Sequence, residues 1–81
     1  MSGAKRLDPS SKLGRAVFRL LDSTMKMSAE VRTRAARVRN LVESDPEDPM
    51  TRFKIGPDLD ALMRDPKLNA HVQAIRKAMP K

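Results

Sequence analysis

From Lys12 to Ser44 the chain carries no proline and only one glycine, Gly14, and apolar residues recur through the whole run. At 100° per residue, Leu13, Val17, Leu20, Leu21, Thr24 and Met27 fall on one side, which Phe18 and Met25 widen. Val31, Ala35, Val38 and Val42 return to the direction of Leu13 with no loss of phase. The spacing 13-17-20-24-27-31-35-38-42 is nearly heptad, with one irregular step. Two helices joined by a turn have no reason to stay in phase. The pattern therefore predicts one long amphipathic helix over residues 10–44, about 50 Å in length. The competing arrangement is a break near Lys26–Ser28, with Ser28 capping a second helix.

The flanking segments fix the rest of an all-α fold. Residues 1–9 show no periodicity and read as a flexible basic lead-in. Ser10 or Ser11 supplies the N-cap of the long helix, and Pro46 ends it by pushing Asp45 out of the α region. The stretch SDPEDPMTRFKIGPD then predicts an ordered Pro-rich connector over 45–56, its extended middle laying Met50, Phe53 and Ile55 against the helix. Gly56-Pro57 opens a short helix over 57–64, with Pro57 at its first position. Asp65-Pro66 opens the last, over 66–79, where Leu68, Val72, Ile75 and Met79 form an apolar stripe. Residues 10–81 thus make a single small helical domain, and its short C-terminal helices look too short to cover the stripe of the long one.

Composition narrows the class of partner. An 81-residue chain buries only roughly 60–65 % of its unfolded surface. This one has no cysteine to crosslink it and only Phe18 and Phe53 as aromatic mass. Its net charge of +7 favours an anionic partner, whether an acidic protein surface, nucleic acid or lipid headgroups. The absence of cysteine fits an intracellular, reducing setting. No apolar run approaches the roughly 20 residues of a membrane span, and no secretory signal is expected. The opening is basic and serine-containing in the manner of a mitochondrial targeting segment, a pattern that Asp8 and Pro9 interrupt.

The segment VRTRAARVRN concentrates arginine at 32, 34, 37 and 39. With Val31 at the origin, Arg32 and Arg39 lie at about 80–100°, Arg34 near 300° and Arg37 near 240°. They border the apolar seam on both sides and form no single basic face. A groove-reading helix would instead present its bases on one exposed face. Arg32, Arg34, Arg37 and Arg39 are therefore expected to grip a docked partner, protein or phosphate, around an apolar interface of Phe18, Leu21, Met25, Val31, Val38 and Val42. Opposite that arc, Arg15, Arg19, Asp22 and Lys26 form a narrow polar strip in which Asp22 and Lys26 make a favourable i,i+4 pair.

The remaining constellations point away from catalysis. His71 is the only histidine, at the edge of the last apolar stripe, and no neighbouring sequence supplies a nucleophile with an orienting carboxylate. The acids Glu43, Asp45, Glu47 and Asp48 oppose the helix dipole and read as a polar linker that can pair with Arg52 or Lys54. They lack a calcium loop, and no zinc-ligand set exists, so neither a metal nor another cofactor is expected. AVFRLL at 16–21 resembles the Leu-Tyr-Arg signature of small helical mitochondrial subunits, but Val17 and Phe18 replace its Leu-Tyr. DPMTRF with DPKLNAHVQAIRKAMP resembles the Asp/Pro-containing helical modules of co-chaperones over less than half the chain. Neither assigns a family. The expectation is a small basic, non-enzymatic interaction protein, an accessory or structural subunit of a larger complex, with self-association open through the long helix. Phosphate-driven binding to RNA or DNA is the alternative. A peptide binder is a third arrangement, and it requires Met25, Met27, Met63 and Met79 to line an exposed groove.

Overall fold

A computed structural model describes residues 8, 10–44 and 48–79, and in it the expected long helix is two. Helix α1 spans Lys12–Thr24, α2 Ala29–Ser44, α3 Pro49–Leu62 and α4 Pro66–Ala78. The described residues contain no strand. Ser11 caps α1 by accepting from the Gly14 amide, and Asp65 caps α4 by accepting from the Lys67 amide. The lead-in expected for residues 1–9 falls on 1–7 and 9, outside the described residues.

The break at 25–28 corrects the single-helix expectation, and its cause is local. Ser23, Thr24 and Ser28 are residues whose hydroxyls compete for backbone partners. Thr24 Oγ1 donates back to the Leu21 carbonyl at 2.9 Å, and the Met27 amide closes a turn on the Thr24 carbonyl. Ser28 then stands ahead of α2, its Oγ accepting from the Val31 amide. Folding back at this point gives one core where a straight helix would leave its stripe half uncovered. Lys26 falls in the turn, so the i,i+4 pairing with Asp22 expected on a continuous helix does not form among the described residues.

The Pro-rich connector is the second correction. Asp48 accepts from the Met50 amide and Pro49 occupies the first turn of a helix that continues through Gly56 and Pro57 to Leu62. The extended strand of Met50, Phe53 and Ile55 is thus helical. Only Ile55 turns inward, while Met50 and Phe53 stay 55 % and 71 % exposed. The short helix expected over 57–64 is the second half of α3. A proline inside a helix removes one hydrogen bond and crowds the carbonyl four residues back, here that of Phe53. Gly56 eases the other clash, since the residue before proline suffers chiefly through its Cβ. Packing of Ile55, Leu59 and Leu62 into the core holds α3 together across this point. Pro57→Ala should therefore raise the unfolding free energy by about 1–3 kcal/mol, measured by urea denaturation. A Pro57 that merely opened a helix would give no gain.

All four helices contribute to one core: Leu13, Ala16, Val17 and Leu20; Ala35, Val38 and Val42; Ile55, Leu59 and Leu62; Leu68, Val72, Ile75 and Met79. Helix α1 packs chiefly on α4 and α2 on α3, α1 also meets α2, and α3 meets α4 more lightly. The radius of gyration is 11.8 Å, against about 12 Å for a compact domain of this length. The seam of α2, expected to await a partner, is closed by the chain itself.

At the N-terminal end, the Ser10 hydroxyl and amide both donate to the Asp8 carboxylate, the hydroxyl contributing more, and hold it below the usual carboxylate range. The Asp8 carbonyl also accepts from the Ser11 amide. Gly14 leaves room for this turn, because a Cβ there would lie 1.8 Å from the Asp8 carbonyl oxygen. Gly14→Ala should thus forfeit the gain of about 1 kcal/mol that alanine brings to a helix. It should also displace the turn, so that the Asp8 carboxyl, followed by NMR titration, moves back up toward its ordinary value. A folded carboxyl held low favours folding above its unfolded pKa, and that contribution fades as pH falls through the folded value. The alanine variant should lose this dependence.

Candidate interaction surfaces

The four arginines of α2 divide by position. Arg34 and Arg37, on the side of the seam that faces α3, both donate from Nη1 to Asp58 Oδ1, at 3.2 and 3.4 Å. The Asp58 side chain is 5 % exposed, and it lies one residue beyond Pro57 on α3. Arg34 also meets Glu30 at 3.6 Å one turn back. On the other border Arg39 pairs with Glu43 at 2.8 Å. Arg32 is exposed and takes part in no ion pair among the described residues. Three of the four therefore grip carboxylates of their own chain. Periodicity placed them beside the seam, but it could not identify Asp58 as their partner, since the sequence reading put that residue in the first turn of a short helix over 57–64.

The expected apolar interface divides in the same way. Val38 and Val42 are fully buried, while Phe18, Leu21 and Val31 pack partly against the core. Met25 sits in the α1–α2 turn at 68 % exposure. The methionine groove does not assemble, because Met79 is buried in the core and Met27 and Met63 are partly covered. Of the acidic linker, Glu43 pairs with Arg39 and Asp48 caps α3. Asp45 and Glu47 lie outside the described residues.

The polar strip of α1 carries more than the sequence indicated. Lys12, Arg15 and Arg19 line a half-open groove of 480 Å³ between α1 and α4, and Lys77 faces them from α4. Ala16, Ala70, Ala74 and Ala78 line the same groove, and among the described residues no carboxylate does. None of the four cations is in an ion pair among the described residues. Most described acids are engaged elsewhere: Glu30, Glu43, Asp58 and Asp60 with arginines, Asp48 and Asp65 as caps. Among the described residues, no carboxylate pairs with the positive charge of the groove.

His71 also lines this groove, and its Nε2 lies 2.9 Å from Ser23 Oγ. This contact joins α4 to the end of α1 across 48 positions, a separation that no sequence pattern reveals. A serine beside a histidine is the first element of nucleophilic catalysis. The second element is missing among the described residues, where no carboxylate bonds the other ring nitrogen. The pair links the end of α1 to α4 through one hydrogen bond. No group of three or more His, Cys, Asp or Glu side chains among the described residues is arranged to hold a metal ion. No described helix is long and apolar enough to cross a membrane. Neither a protein-family model nor a curated protein nor a solved structure matches the chain.

Proposed function

We propose that this chain is a small, basic, non-catalytic interaction protein that serves as an accessory subunit of a larger intracellular assembly and docks through its α1–α4 face. The apolar stripe no longer supplies the reason, since α3 and α4 cover it. One observation carries the reading instead: Lys12, Arg15, Arg19 and Lys77 surround a concave alanine floor with no acid among them. Like charges held together without compensation work against folding and favour an anionic partner. The exposed Arg32 adds to the same positive field. Arg34, Arg37 and Arg39 already hold carboxylates of the chain and contribute to docking through their remaining guanidinium donors.

Nucleic acid is the second reading, favoured by the same cations and by the net charge of +7. Among the described residues no Phe, Tyr or Trp lines the groove and His71 is its single ring, so little of the stacking that supports single-strand binding is provided there. Gel filtration of the tagged chain from its native source, with and without nuclease, tests the choice. The accessory-subunit reading expects elution far above the chain's own 9.1 kDa and no change after nuclease. Collapse on nuclease treatment would favour the nucleic-acid reading, and elution at the chain's own mass in both runs would contradict both.

A further inference from the structure

We infer that the occupant of the α1–α4 groove is an acidic amphipathic helix of a protein partner, an inference that rests on the docking reading above and specifies its chemistry. The shape of the floor is the first reason. Ala70, Ala74 and Ala78 recur every four residues along α4, and Ala16 faces them from α1. A row of small side chains at that spacing is a groove between ridges, and it admits the i, i+4 ridge of another helix at close approach. A phosphate backbone has no use for a methyl-lined trough, since its contacts are to cations and donors.

Charge is the second reason. Lys12, Arg15 and Arg19 rise along α1 over about 10 Å, with Lys77 on the facing helix. They border the trough as a helix with carboxylates at about two-turn reach would require. Paired across an interface, such charges set orientation and raise the rate of encounter. A second copy of this chain does not fit. It carries a net +7, and its described acids are, apart from Asp22 and the exposed Asp8, committed to caps and internal ion pairs.

The test titrates the isotope-labelled chain with a capped helical peptide of about 18 residues, bearing leucine and alanine on one face and glutamates flanking it. A peptide with lysine in place of glutamate and an oligouridylate serve as comparators. The acidic peptide should shift amide signals of Arg15, Arg19, Ala70 and Ala74, and the lysine peptide should not. Arg15→Glu with Arg19→Glu should weaken binding at least about tenfold. Ala74→Leu, which fills the floor without changing charge, should weaken the peptide several-fold and leave the oligouridylate unaffected. Both variants alter exposed side chains, and unchanged melting midpoints would verify their fold; Arg15→Gln with Arg19→Gln replaces the reversed pair if it melts early. Peptide shifts mapping to another face, indifference of peptide binding to Ala74→Leu, or tighter groove binding by the oligouridylate would each overturn the inference. Such a result would leave the accessory-subunit reading standing if nuclease-resistant high-mass elution were observed.

Discussion

Replacing Arg34 and Arg37 together by methionine is expected to cost the fold about 3–5 kcal/mol, read from urea denaturation monitored by circular dichroism. Methionine retains most of the packed stem of each arginine, so the loss is electrostatic. The asymmetry of the site sets the magnitude. Arg34 and Arg37 are 34 % and 59 % exposed and can turn to water when Asp58 is removed, whereas the Asp58 side chain is only 5 % exposed and cannot. Asp58→Asn alone should therefore cost no more than about 1–3 kcal/mol. Each single arginine variant leaves one partner in place, so the double loss should exceed the sum of the two. Adding Asp58→Asn to the double variant should restore at least half of the lost stability, because it removes the stranded charge. If the asparagine restored nothing, the arginines would be acting through something other than this carboxylate.

Val38→Asp should be more damaging still. Val38 is fully buried in the core that all four helices share, and an unpaired carboxylate there costs at least about 4 kcal/mol. A domain of this length has roughly 4–12 kcal/mol of stability in total. The isolated variant should thus be largely unfolded, with its amide signals collapsed. Met25→Asp is the control, since Met25 is 68 % exposed and a surface change falls within about 0.5 kcal/mol. Sequence periodicity assigns both residues to one partner-facing stripe. A Val38→Asp chain that stayed folded while losing only an external partner would support that assignment against the closed bundle.

The contrast shows where sequence was informative. Helical class, a serine cap at 10 or 11, the Asp65-Pro66 start and the apolar stripe of Leu68, Val72 and Ile75 follow from local chemistry, and the structure contains each of them, with Ser11 as the cap. The break after Thr24 is harder to read, because the turn is short and α1 and α2 both present the same phase to one core. The α3 start carries a local signature, since Asp48-Pro49 is the same pairing as Asp65-Pro66, but the Pro-rich stretch around it reads as a connector and Pro57 lies inside the helix that forms. Tertiary contacts, with Ile55 and Leu59 in the core and Asp58 under two arginines, outweighed that local penalty. The groove was legible only in part. Arg15 and Arg19 were visible as a polar strip of α1, but their juxtaposition with Lys77 and the α4 alanines depends on how α4 docks.

Central to all of this is that one chain closes its own seam, with α3 over α2 and Asp58 under Arg34 and Arg37. Urea unfolding of the isolated chain, repeated at protein concentrations about a hundredfold apart, tests it most directly. A self-contained bundle of 9.1 kDa gives one cooperative transition whose midpoint is the same at both concentrations. A midpoint that rises with concentration, or a broad loss of helix with no cooperative step, would mean that the seam is covered by another chain or not covered at all.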